Sequence, residues 1–192
     1  MRYLVRWFSL GFCAIPVFAQ GPLFAQAPHY KHYANSLAPY VVSPQYIVDR
    51  MLELADLKPG ETVYDLGSGD GRVLITAVQR FHAKAVGIEI SDALVESSSD
   101  RIRKFGIESD ARVIHGDFMQ ADLSPADVVT IYLATDSNAM LRPNLEKYLH
   151  NGARVVSHEY AVPGWKPKMV DKDLPEAHGH VIYLYVMPAK KR

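Results

Sequence analysis

Asp65 stands two residues before Gly67, and glycine then recurs at Gly69 and Gly71. An apolar pair, Val63-Tyr64, precedes the acid. Beyond the glycines, Val73, Leu74, Ala77, Val78 and Phe81 fall on one face of a helix. Strand, glycine turn and helix in this order receive a nucleotide-like ligand in an open α/β sheet. Glycine allows the tight turn and the close backbone approach where a Cβ would clash. The spacing is G-x-G-x-G, and not the G-x-G-x-x-G that seats a pyrophosphate on a helix N-terminus. A carboxylate at the strand's end repels phosphate and suits a cationic ligand group.

S-adenosylmethionine (SAM) carries such groups, an α-ammonium and a sulfonium, and no phosphate. A second acid, Glu89, lies 22 residues beyond Gly67, at the end of the strand-like segment Ala85 to Ile90. An acid about 20 residues past the glycines accepts hydrogen bonds from ribose hydroxyls. Asp117 follows a third strand-like segment, Arg112 to Ile114, where it can accept from the adenine amino group, with Phe118 packing nearby. Asp65, Gly67, Gly69, Glu89 and Asp117 are therefore the expected cofactor contacts.

The acceptor side is less sharply written. Val128 to Leu133 carries no charge and suits a central strand covered on both faces. Tyr132 near its end reads equally as a pocket wall or a core ring. A further strand, Ala153 to Ser157, delivers His158, Glu159 and Tyr160 to the same side. His158 reads as a satisfied polar residue before it reads as a base. Trp165, amid Pro163, Gly164 and Pro167, is placed on a loop that closes over a substrate. His29 and His32 lack an acid or a third ligand nearby, so no metal is expected.

These residues need a scaffold, and the pattern supplies one. Ser43 is the expected N-cap of a helix with Pro44 at its first position. Ile47, Val48, Met51, Leu52 and Ala55 line its inner face. Ser91 caps the next helix and Gly106 ends it. A third helix runs from Met140 to Leu149, with Asn151-Gly152 as its stop. The last strand, His180 to Met187, inserts antiparallel. The expected fold class is α/β, a Rossmann-like doubly wound seven-stranded sheet with an antiparallel last strand.

Lys plus Arg and Asp plus Glu each number 21 in 192 residues, so the formal net charge is zero. That balance argues against a protein that tracks phosphates along a nucleic acid. The single cysteine, Cys13, excludes an internal disulfide and a thiolate metal cluster. The N-terminus differs in kind. Arg2 and Arg6 precede an apolar run from Trp7 to Ala19, and Val17-Phe18-Ala19 and Ala25-Gln26-Ala27 both offer small residues at cleavage-like spacing. Residues 1–27 thus read as a secretory signal, cleaved after Ala19 or Ala27, or as an uncleaved membrane-associated arm. The first reading places the protein outside the cytosol, periplasmic or secreted; the second places it at a membrane. Residues 28–192 form the expected single catalytic domain.

From about Ala38 to Met187 the chain resembles class I SAM-dependent methyltransferases of the small protein-lysine methyltransferase group. That group includes broad-specificity archaeal enzymes and mitochondrial enzymes acting on ATP synthase subunit c and the adenine nucleotide carrier. The pieces that carry the likeness include Pro39-Tyr40-Val41-Val42-Ser43-Pro44, Val63 to Arg72 and Val128 to Leu133. Leu141-Arg142-Pro143, Arg154 to Glu159, Gly164-Trp165 and Tyr183 to Val186 complete it. The resemblance implies SAM as cofactor, a protein substrate presenting a lysine, and an arm from Tyr40 to Pro44 lying over the cofactor. Tyr132 and Glu159 are the residues expected to orient the amine. Two other classes stay open: a methyltransferase of small molecules or lipids, which shares every cofactor residue, and a non-catalytic SAM-binding protein.

Overall fold

The computed structural model describes residues 40–172 and 179–189. The signal-like segment, Cys13, His29 and His32 lie outside the described residues. The elements run α1 (Gln45–Leu54), β1 (Thr62–Leu66), α2 (Arg72–Phe81), β2 (Lys84–Glu89), α3 (Asp92–Phe105), β3 (Ala111–His115), β4 (Val128–Ile131), α4 (Thr135–Tyr148), β5 (Arg154–His158), β6 (Met169–Asp171) and β7 (Ile182–Val186).

The strands form one seven-stranded sheet in the order β3-β2-β1-β4-β5-β7-β6. β1 to β5 are parallel, and β7 pairs antiparallel with both β5 and β6. Alternate strand residues serve opposite faces. Val63, Ala85, Val128 and Val156 pack with α1, α2 and α3 through Ile47, Leu52, Leu74 and Ile102. Tyr64, Val86, Val129 and Val155 pack with α4 through Leu141 and Leu145. Both faces are covered, which is why the strands read as apolar runs.

Strand order reverses between β1 and β4, and the crevice at such a switch point is where ligands sit. The register there sets Asp65 beside Gly87 on one side and Thr130 on the other. Gly87 is required by packing. A Cβ at that position would lie 2.6 Å from the Ser68 Cβ and 2.8 Å from the Leu74 Cδ1.

Several local expectations are corrected. Pro44, not Ser43, occupies the N-cap of α1, and its carbonyl accepts from Ile47 and Val48. The Ser43 hydroxyl is spent instead on His158, 2.8 Å from its Nδ1. α4 begins at Thr135, five residues before the expected Met140, because its first turn is polar and lacks an apolar stripe. Ser91 holds the N-cap of α3 without a side-chain capping bond, while Gly106 ends that helix in the left-handed conformation as expected. β6 is a three-residue edge strand that carried no sequence assignment. Among the described residues, no helix is long and apolar enough to cross a membrane.

Candidate functional site

The glycine loop leaves β1 with Gly67, Gly69 and Gly71 all at positive φ, which a side chain would disfavour. The Gly67 and Ser68 N–H groups donate to the Ile88 carbonyl at 2.9 and 3.1 Å, which folds the loop over the end of β2. A Cβ on Gly67 would meet no protein atom within 4 Å, whereas one on Gly69 would lie 2.8 Å from the Tyr40 Cε2. The Tyr40 ring therefore lies directly against the loop, as the expected arm over the cofactor requires.

Glu89 is buried at the end of β2 and is held by the loop itself. Its Oε2 accepts from the Gly69 N–H and its Oε1 from the Ser91 N–H, both at 2.9 Å. Each carboxylate oxygen has a further lone pair, so this anchoring leaves the acid able to accept ribose hydroxyls. The backbone role was absent from the sequence reading. Asp117 sits beside Glu89 because the Gly116 N–H donates to the Glu89 carbonyl at 2.9 Å. Its own Oδ1 accepts from the Met119 N–H at 2.8 Å and caps the short turn Phe118–Gln120.

Asp65 is also buried, and its Oδ1 accepts from the Thr130 hydroxyl at 2.7 Å. Burial pushes its carboxyl up to about 7; the Thr130 bond opposes this, and the charges of Glu89 and Asp70 add to it. A buried acid pressed by two other acids is a site that a cation relieves. Asp70 itself is clamped by Arg72, with Nη2 on Oδ2 at 2.8 Å, and by Arg101 at 2.9 Å. Burial works against its charge, but Arg72 and then Arg101 hold it below the ordinary carboxylate range. Arg72 Nη1 also donates to the Ser43 carbonyl at 2.7 Å, tying the Tyr40–Pro44 arm to the loop.

The acceptor end is an aromatic and imidazole cluster at the ends of β4 and β5. The Tyr132 ring centroid lies 4.1 Å from that of His158 and 6.4 Å from that of Tyr160. Tyr132 is half-buried, so it is a wall and not a core ring. Burial raises its hydroxyl's pKa, and the Glu159 charge adds to this. His158 is fully buried, and burial lowers it to about 4, against the pull of Glu159. Glu159 sits at φ +64, and its Oε1 contacts the Nδ1 of His180 and lies 3.2 Å from the Nε2 of His158. Asn138 of α4 donates to the Tyr160 carbonyl at 3.1 Å and so pins this end to the helix start.

Trp165 is corrected. It is 1% exposed, its Nε1–H donates to Glu146 Oε1 at 2.8 Å, and its ring packs on Tyr185. It is a core residue, not a closing lid. The arrangement otherwise brings every expected cofactor residue to the carboxyl ends of β1, β2 and β3, with Tyr40 above. Thr130, Gly87 and His180 were missed, as was the contact of Ser43 with His158. Only tertiary placement gives them these roles, and no local signal marks it.

A sheet of this order, a glycine cradle open above Gly67, and buried acids suited to a cation and to hydroxyls define a class I SAM-dependent methyltransferase. The buried acids Asp65 and Glu89 fit a ligand that is cationic and carries hydroxyls, as SAM is and does. The model of the ANTKMT methyltransferase domain matches residues 65–169. A protein-lysine N-methyltransferase of Saccharolobus islandicus is 46% identical over 154 residues, covering 80% of this chain and 96% of that protein. The mouse adenine nucleotide translocase lysine N-methyltransferase is 33% identical, over 69% of this chain and 57% of its own length. A Salinibacter ruber protein described as an RNA methyltransferase, solved with S-adenosyl-L-homocysteine, superposes with a TM-score of 0.74 at 38% identity, covering 79% of this chain and 97% of that one. The chain belongs to the ANTKMT methyltransferase domain family.

Proposed function

We propose that this methyltransferase acts on the ε-amine of a lysine in a protein. The observation that carries the reading is the 46% identity to a protein-lysine N-methyltransferase across 96% of that protein's length. The site supports it. Glu159 and Tyr132 place a carboxylate and a phenol where strands β4 and β5 end, a pair suited to orienting an amine.

The roles divide by strand. Asp65 faces the cationic end of the cofactor, Gly67 and Gly69 give its backbone room, Glu89 takes the ribose, Asp117 takes the adenine, and Tyr40 covers it. The bound cofactor supplies an electrophilic methyl group on a sulfonium. The chain must present a neutral amine to it, since only that form has a lone pair. A lysine's unperturbed pKa of about 10.4 means that partial desolvation beside a cation must assist loss of the proton. Orientation by Tyr132 and Glu159 supplies the rest, and no dedicated strong base is needed.

The description of the Salinibacter relative favours RNA as a second reading. The balanced charge of this chain and the carboxylate at the acceptor end weigh against a polyanion. Small molecules and lipids form the third. Labelled SAM incubated with the enzyme and a whole-cell extract distinguishes them. Label in protein that hydrolyses to methylated lysine supports the proposal; label in RNA or in the lipid phase overturns it.

The charged start and apolar run of residues 1–27 support export, or membrane association if the segment is retained.

A further inference from the structure

We propose that His158, Glu159 and His180 form a site for one borderline divalent metal ion of the zinc(II) class. The expectation of no metal rested on His29 and His32. This trio comes from elsewhere: His158 and Glu159 are adjacent, and His180 lies 22 residues beyond His158. The β5–β7 ladder brings them together. It pairs His158 with Ile182, and the Glu159 N–H donates to the Val181 carbonyl at 2.7 Å, so His180 arrives just beyond the ladder's end.

Three ligand atoms converge there. His158 Nε2 is 3.0 Å from His180 Nδ1 and 3.2 Å from Glu159 Oε1. The third pair, Glu159 Oε1 and His180 Nδ1, is in contact. Bonds of about 2.0–2.1 Å in a tetrahedral shell set ligand atoms roughly 3.3 Å apart. Two of the three separations are already near that value, and the third must open on loading. Two imidazoles and one carboxylate are also a donor set that zinc accepts with its fourth position left to water.

Two further features fit a ligand role. The Ser43 Oγ lies 2.8 Å from His158 Nδ1, the nitrogen that faces away from the trio. With the His158 Nδ1–H donating to the Ser43 hydroxyl, an outer partner of the kind metal-bound imidazoles use, the Nε2 lone pair is turned to a metal. Glu159 adopts φ +64 without being glycine, a conformation that costs energy and aims its carboxylate at both rings. The site adjoins the acceptor end, because the Tyr132 ring lies against His158. Loading commits the Glu159 Oε1 to the ion, so a metal-bound Glu159 keeps only its second oxygen for orienting the amine.

The test uses the full chain without an affinity tag, after chelator treatment. Zinc(II) is titrated in competition with a chromophoric chelator, and cobalt(II) is added separately to read its visible bands. One equivalent per chain is expected, with tetrahedral cobalt bands. His180→Ala should abolish this equivalent, and Ser43→Ala should weaken it by roughly 10–100-fold. Melting curves report whether each variant is folded. Absence of a zinc equivalent in the wild type means that the trio shares a proton only, and overturns the proposal. Affinity unchanged in either folded variant places the ion elsewhere and overturns it too.

Discussion

The Thr130 hydroxyl donates to the Asp65 carboxylate over 2.7 Å, across the point where the order of the strands reverses. The contact is fixed by register, since Asp65 and Thr130 are paired neighbours on β1 and β4. It supports the charged form of an acid whose surroundings otherwise oppose it. Burial is the larger effect, and it leaves Asp65 titrating at about 7. The protein thus holds an acid that is only part-ionised at neutral pH until a cationic ligand arrives.

SAM affinity should accordingly depend on pH. The folded pKa lies above the ordinary value of 3.8, so the free folded protein holds more protons than the unfolded chain between that value and about 7. Stability of the free protein should fall as pH rises through this window, then level off. A cationic ligand favours the carboxylate, so affinity should rise with pH up to about 7 and then plateau, by at most ~10-fold per unit. Binding below the midpoint should release a proton. Thr130→Val removes the bond that favours the charge and should move the midpoint upward. Calorimetry in buffers of different ionisation heat reads both effects; an affinity independent of pH across the window would show that Asp65 does not face the cation.

Glu89→Ala should weaken SAM binding by roughly 1.5–3 kcal/mol, about tenfold to a hundredfold, the worth of hydrogen bonds to a charged group. It should also lower the melting temperature of the free protein, because the buried N–H groups of Gly69 and Ser91 lose their acceptor. Gly69→Val should be worse for binding, since its side chain displaces the Tyr40 ring. Titration calorimetry with folded variants decides, and unchanged affinity in both would place the ligand elsewhere.

What was legible in the chain was local. The glycines, the acids at strand ends and the apolar alternation are each written within a few residues. Lateral register is not. Nothing near Ser43 announces that its hydroxyl goes to His158, 115 residues away, so capping chemistry claimed it. Trp165 has loop neighbours in sequence, yet Tyr185 and Glu146 reach it from distant segments and bury it. The first turn of α4 is polar, and its Asn138 is buried for hydrogen bonding to the Tyr160 carbonyl rather than for apolar packing.

Gly87→Ala tests the packing beneath the glycine loop. The added Cβ would lie 2.6 Å from the Ser68 Cβ and 2.8 Å from the Leu74 Cδ1, in a strand flanked on both sides. Overpacking of this kind costs about 1–3 kcal/mol. A lower denaturation midpoint and weaker SAM binding are expected together, because relief requires Ser68 and its loop to move. A variant as stable as the parent would show that the loop yields freely.

Intact-mass measurement of the protein from its native host tests the N-terminal segment. Cleavage after Ala19 or Ala27 is expected from Arg2, Arg6 and the apolar run that follows. A mature chain beginning at Met1 would discard the cleaved signal and leave the membrane-associated arm.

A lysine acceptor makes its own demand on pH, separate from that of cofactor binding. With SAM saturating at every pH, ionisation of Asp65 no longer limits the rate. The neutral fraction of the amine does. Below the amine's effective pKa, each unit of pH gives ~10-fold more neutral amine, so the rate should climb from neutral towards alkaline pH and then level off. The levelling point reports how far the pocket lowers the amine from about 10.4. Glu159→Gln keeps the shape of the side chain but removes a charge that favours ammonium. If Glu159 orients the amine, that variant should level off at lower pH while its maximal rate falls. A carboxylate acceptor would show no climb, being already ionised at neutral pH. Acid hydrolysis of the labelled product should release methylated lysine. Label lost at mild alkaline pH, as an ester would be, excludes the lysine acceptor and promotes the small-molecule one.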